Sequence, residues 1–362
     1  MRRVTVVALA VAGALAATVA YAAAGGSGSV TVVDGAVPTA YRITYEVVTG
    51  GVPSTEVHTV RRPFQSRIEV GRATRVSDAG VLATTSDGAS WVRIEVPLAL
   101  AGGDLRPDAV LDDALAAGVV EVVGTRRVAG RPCRVVAFGG PVGGGTLTPV
   151  GAVAGESVEA CIDGAGLVLA ESWSVAGVVR REREAVRVEV GEVLGPVGDD
   201  VFGVPASAST LSFGDGGGSV RAVAPGEDPG FTERWQATVP AGFEHAGRWH
   251  VLPPAVGAPV DPTVPRAADV ALVTDVWVRG PDLVLVDQGA VVGGGPPPWD
   301  DRPWGEPVDL GALGPGELVF DLRLSEVRVV RGDGGFVRVA GTLPPAELVA
   351  VARSLELEEE ER

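Results

Sequence analysis

Few side chains of this sequence are of the kinds that make or break covalent bonds: two cysteines, three histidines and no lysine in 362 residues. Cys133 and Cys161 have neither Cys-x-x-Cys spacing nor a neighbouring general base, so a redox or nucleophilic role lacks its usual support. His245 and His250 fall in one strand-like stretch, where alternation turns their side chains to opposite faces, and His58 lies far away in sequence. No Gly-x-Ser-x-Gly elbow is present for acyl transfer. The runs "GGPVGGG" and "GDGGGS" lack the Lys-Ser/Thr that closes a phosphate loop and read as turns. The carboxylate pairs Asp112-Asp113, Asp199-Asp200 and Asp300-Asp301 lack the alternating spacing of a calcium loop and read as solvated turns or caps. These features predict a protein that is not an enzyme and takes no metal or cofactor.

The charge narrows the partners. Acidic residues number 46 against 30 basic ones, all arginine, for a net charge of −16, which excludes nucleic acid as a partner. At the N-terminus Arg2 and Arg3 precede an uncharged run from Val4 to Ala24 and then a Gly/Ser stretch, the pattern of an export signal. Small-x-small cleavage sites occur at Ala20–Ala22 and Ala22–Ala24, yet the run is also long enough to span a bilayer. Residues 1–24 are therefore a signal peptide or a retained anchor, and the rest works outside the cytoplasm. In that oxidising setting the two cysteines predict a disulfide between Cys133 and Cys161.

Hydropathy alternates with the period of a strand from residue 40: Tyr41, Ile43, Tyr45 and Val47 share one face, with Arg42, Thr44 and Glu46 opposite. An antiparallel meander follows through "SRIEV" and "GVLATTSDGASWVRIEV". "LRPDAVLDDALAAG" interrupts it with a helix: Pro107 suits the first turn, Leu111 and Leu115 share a side, and Gly118 can end it. Strands resume at "VVEVVGTRRVAG", "RPCRVVAFGG", "ESVEACID", "GLVLAESWSV" and "REREAVRVEV", with Asp163–Gly166 turning the chain. This first domain covers 38–205, a Ser/Gly-rich linker 206–224, a small sheet with a C-terminal helix 225–356, and an acidic tail 357–362.

"VVGTRRVAGRPCRVVAF" followed by "ACIDGAGLVLAESWSVAGVVRREREAVRVEV" resembles the end of the large domain in the RseB/MucB family of sigma-E regulators and the related LolA-like lipoprotein carriers. "ATVPAGFEHAGRW" and "GGFVRVAGTLPPAELVAVARSL" resemble the start and the close of that family's small domain. The resemblance implies an α+β fold, with a curved antiparallel sheet wrapped on one or more covering helices, and a small α+β domain after it. It also implies a function without catalysis: binding of an apolar lipid, acyl chain or lipoprotein, or regulation of a sigma-factor pathway through a membrane-bound regulatory protein. The disulfide pair, the scarcity of helix in the first domain and the "PPPWDDRPW" loop depart from the pattern.

Two candidate sites follow. Tyr41, Ile43, Tyr45, Val92, Ile94, Val186 and Val188 form an apolar sheet face that a helix would cover incompletely, leaving room for a lipid chain. Trp299 and Trp304, in the Pro-rich stretch 293–307, could instead dock a membrane partner, which defines the alternative function of an extracytoplasmic interaction module.

Overall fold

The computed structural model describes residues 37–78, 81–95, 107–116, 118, 120–138, 156–211, 219–222, 235–252, 270–291, 306–320, 325–331 and 335–357. The expected signal or anchor at 1–24, Trp299, Trp304 and the tail beyond 357 lie outside these residues.

One sheet has twelve strands. The first six form a meander, β1 (Ala40–Thr49), β2 (Val52–Arg61), β3 (Gln65–Val70), β4 (Ala73–Asp78), β5 (Val81–Thr85) and β6 (Val92–Glu95). Helix α1 (Pro107–Ala116) follows, then a second meander, β7 (Val120–Val128), β8 (Arg131–Phe138), β9 (Glu156–Asp163), β10 (Val168–Val175) and β11 (Val178–Val190). The two meanders join where β1 pairs antiparallel with β11. Strand β12 (Ser209–Leu211), inside the stretch read as a linker, adds to β6 in parallel.

Alternation explains why β1 lies at the centre. Tyr41, Ile43, Tyr45 and Val47 are buried, while Glu46 and Val48 on the other face are exposed. The second meander is strongly curled. In a flat sheet β7 and β11 would stand about 19 Å apart, at four strand spacings, yet Arg126 Nη1 on β7 donates to Glu184 Oε2 on β11 at 3.2 Å. The predicted disulfide is present and ties β8 to β9 through Cys133 and Cys161, both buried in the core that contains Tyr41, Ile43 and Tyr45.

The turn between β9 and β10 is built on Asp163. Its Oδ1 accepts from the backbone N–H groups of Ala165 and Leu167, each at 2.9 Å, and its Oδ2 accepts from Arg131 Nε at 2.7 Å. Gly166 takes φ +72°, a conformation that favours glycine. Asp163→Ala leaves two buried N–H groups and Arg131 without this acceptor. An expected loss of about 1–3 kcal/mol should appear as a lower urea midpoint at unchanged slope.

The second sheet has eight strands: β13 (Ser219–Ala222), β15 (Glu244–Leu252), β16 (Val270–Arg279), β17 (Asp282–Val291), β18 (Glu306–Asp309), β19 (Pro315–Phe320), β20 (Ser325–Val330) and β21 (Gly335–Gly341). A short pair, β14 (Trp235–Gln236) with β22 (Glu356–Leu357), flanks helix α2 (Pro345–Arg353). Proline opens α2, and Leu348, Val349, Val351 and Ala352 are buried on its inner side. Arg353 in its last turn donates to the Asp309 carbonyl at 2.8 Å.

The expectation of an α+β fold with covering helices is corrected. Among the described residues there are twenty-two strands and two α-helices, and both large sheets are mostly antiparallel, which makes this a mainly-β protein. The reason lies in what covers what. Leu111 and Ala114 of α1 share one core with Val136, Ala160 and Ile162 of the first sheet and with Val284, Val286, Val327 and Val339 of the second. The face of Tyr41, Ile43 and Tyr45 is covered instead by the curled meander itself, through Val128, Cys133, Cys161, Leu167 and Leu169, while the second sheet and α2 close the separate core around α1.

Candidate functional site

The top end of β1 opens into a cleft of about 900 Å³. Its walls are backbone and apolar side chain for most of their extent: Val37, Pro38 and Ala40 where the chain enters β1, and Val190, Leu194 and Val197 where it leaves β11. Gly191, at φ +57°, and Gly195, at φ +69°, bend the latter segment around the opening. Gly280, in the turn between β16 and β17, brings the second sheet to the same wall.

Three guanidinium groups line this cleft, from Arg61, Arg62 and Arg131. Arg61 donates to the Val197 carbonyl at 3.2 Å, pairs with Asp199, and lies 5.3 Å from the ring of buried Phe202. Arg62 is only 6% exposed and stands over the Tyr41 ring at 5.4 Å. Arg131 pairs with Asp163, so the β9–β10 turn and the cleft share a wall. Phe64, two residues beyond Arg62, packs on Val276, Leu283 and Leu285 of the second sheet. Arg61 and Arg131 are each held by a carboxylate and Arg62 by the Pro38 and Gly166 carbonyls, so what the opening offers a ligand is mainly its apolar wall.

The sequence-predicted residues divide in space. Tyr41, Ile43 and Tyr45 are 5%, 1% and 3% exposed, and Val188 packs against them. Register confirms that Ile43 faces Val188 across the β1–β11 pair. Val186 sits where that register shifts, between the partners of Thr44 and Tyr45, and is 51% exposed. Val92 is half-buried on β6, and the Ile94 side chain, like Trp299 and Trp304, lies outside the described residues. Through the ladders of β1 to β6, Tyr41, Ile43, Tyr45 and Val92 occupy one face of the sheet.

That face also carries a buried polar cluster that sequence reasoning missed. Glu56 lies opposite Tyr45, His58 opposite Ile43, Arg183 opposite Val47, and Glu171 opposite Arg183. His58 Nε2 is 3.0 Å from Glu56 Oε2, so with Glu56 ionised that nitrogen carries the proton and donates. Arg181 Nη2 donates to both Glu56 oxygens at 2.8 and 2.7 Å. Arg183 pairs with Glu171 at 2.9 Å and lies 4.6 Å over the Tyr45 ring, whose hydroxyl donates to the Val168 carbonyl at 2.7 Å.

Burial by itself would raise the Glu56 carboxyl, but the His58 hydrogen bond and the Arg181 charge outweigh it and bring the pKa from 4.5 to about 2. Burial lowers the His58 imidazole, helped by the Arg183 and Arg181 charges and opposed by Glu56. Burial also works against the charge on Arg183, and Tyr45, Glu171 and Glu56 together outweigh it. The available signal was polar residues on the apolar parity of "STEVHTVR" and "RREREAV". Only pairing across strands shows that they meet.

Among the described residues no group of three or more His, Cys, Asp or Glu side chains could hold a metal ion, and no helix is long and apolar enough to cross a membrane. No protein-family profile and no curated protein matches the chain. Among solved structures, it is similar to MucB in the crystal structure of MucB in complex with MucA(peri), at 17% identity over 88% of this chain and 94% of that one, with a TM-score of 0.32. The complex structure of Pseudomonas aeruginosa MucA/MucB gives the same values, and the crystal structure of MucB alone gives 16% identity, 88% and 92% coverage and a TM-score of 0.27.

Proposed function

We propose that this chain is a binding protein without catalytic activity that works outside the cytoplasm and takes an acyl chain or similar apolar ligand into the cleft at the start of β1. The observation that carries the reading is the cleft itself, about 900 Å³ with mostly apolar walls. Tyr41, Ile43, Tyr45 and Val188 do not line this cleft and serve in this reading as the packed core that continues from it along β1 and β11, with Val92, Ile94 and Val186 elsewhere on the sheet. The buried Cys133–Cys161 disulfide supports an oxidising compartment.

A bound chain would touch both sheets, because Gly280 of the second lines the cleft of the first. That contact favours a regulatory role, in which the ligand alters what the two sheets present to a membrane-bound protein partner. The sigma-factor pathway enters through the family resemblance, and Trp299 and Trp304 remain the alternative docking point.

The test pairs lipid extraction and mass spectrometry of the purified exported protein with titration by dansyl-undecanoic acid, a fluorescent fatty acid. Extracted lipid or saturable fluorescence enhancement is expected. Leu194→Asp, which puts a carboxylate into the half-buried apolar wall, should weaken the probe by about tenfold, since a chain seated there would take that carboxylate out of water. No lipid and no enhancement would remove the reading, and equal affinity in the variant would move the site elsewhere.

A further inference from the structure

The polar cluster on the inner face does not line the cleft, and its composition is unusual for the middle of a large sheet. Glu56, His58, Glu171 and Arg183 are all buried, on β2, β10 and β11, directly beside the apolar run of β1. Buried ion pairs contribute little net stability compared with apolar residues of similar volume, and their best-attested use is to specify one arrangement or to switch between two. With a neutral imidazole the cluster balances: Glu56 and Glu171 against Arg181 and Arg183.

We propose that His58 makes the junction of β1, β2 and β11 an acid-released latch, closed while the imidazole is neutral and loosened when it takes up a proton. The groups that face His58 explain the direction. From β1 comes the Tyr45 ring, edge-on at 4.9 Å. From β2 comes Glu56, whose carboxylate is already held by Arg181 of β11. From β10 and β11 come Glu171 and Arg183, paired with each other. From β3 and β4 come Ile68 and, one strand further on the same face, Arg75. A second proton on the imidazole adds a positive charge to a site whose two carboxylates are committed to Arg181 and Arg183. Once the strands part, the imidazole titrates like a free one and water solvates the charge.

Linkage sets the size of the effect. The closed form binds the proton less readily than the open form, so below the free value of about 6.5 each unit of pH raises the opening equilibrium by up to about tenfold. Glu56 is protonated on opening only below about its free value of 4.5, so the window from pH 6.5 to 5 isolates His58.

The experiment follows the three histidine rings by NMR and backbone amide exchange by mass spectrometry from pH 7.5 to 5, on full-length exported protein, with His58→Gln as the matched variant. Glutamine can keep the bond to Glu56 and cannot be charged. In the wild type the His58 signals should titrate below the free value. Exchange in β1, β2 and β11, corrected for its intrinsic pH dependence, should accelerate by up to about tenfold per unit, and the acceleration should vanish in His58→Gln. A His58 that titrates at or above the free value, or an acceleration equal in both proteins, overturns the latch. Should His58→Gln fail to fold, His58→Phe takes its place in the exchange comparison, and the wild-type titration decides by itself.

Discussion

Replacing Arg183 by alanine should lower the unfolding free energy by about 3–5 kcal/mol, because it strands Glu171 as an uncompensated buried charge. The two side chains are 3% and 6% exposed. Arg183 also fills the space above the Tyr45 ring, so truncation opens a gap beside the central strand. Its Nε and Nη1 groups find no hydrogen-bond partner among the described residues, which means that the guanidinium is itself an imperfectly satisfied buried cation. The joint variant Arg183→Met with Glu171→Leu removes the orphan donors and both charges together. It should recover most of the loss, as buried pairs replaced by apolar residues usually do. Urea unfolding of the oxidised protein at pH 7 measures all three. If Arg183→Ala loses less than about 1 kcal/mol, the cluster is solvated and the packing described above is wrong.

Removing the disulfide with Cys133→Ala and Cys161→Ala should reduce stability by about 3–4 kcal/mol, the chain-entropy value for a loop of this size. The bridge spans 28 residues and staples neighbouring strands of the curled meander. Both half-cystines lie in the same core as Leu167, Leu169 and Ala185, so loss of the bridge also loosens packing around the β9–β10 turn. The expected readout is a lower denaturant midpoint, with the same shift on reduction of the wild type. A reduced protein as stable as the oxidised one would show that the β7–β11 curl is held by its other contacts, such as Arg126 with Glu184.

Much of the strand pattern was legible because it rests on local rules. The alternation of Tyr41, Ile43 and Tyr45 against Arg42, Thr44 and Glu46 has the period of a half-buried strand whatever surrounds it. Pro107 and Gly118 bracket α1, Pro345 opens α2, and Asp163 with Gly166 marks a turn, because each residue limits its own backbone or bonds to it. The Cys133–Cys161 pairing was legible for another reason: with two cysteines there is one possible bridge.

What the local rules leave open is which face meets what. An apolar strand face needs cover, but nothing in its period says whether a helix, a second sheet or a ligand supplies it. The α+β expectation failed at that point, since Val284, Val286, Val327 and Val339 reach the α1 core from strands more than a hundred residues downstream of the helix. The cleft is likewise assembled from distant pieces, Val37, Arg61, Arg131, Leu194 and Gly280, none of which forms a motif with its neighbours. The His58 cluster depends on registry, because a shift of one residue in the β1–β2 or β1–β11 pairing would turn Glu56, His58 and Arg183 to the other face. Sequence alone determined the strand periods, the turns and the single possible disulfide of this protein, all of them short-range or forced by count. Tertiary structure decided the cover of the sheets, the cleft and the buried charges, because each depends on long-range pairing that local periodicity does not encode.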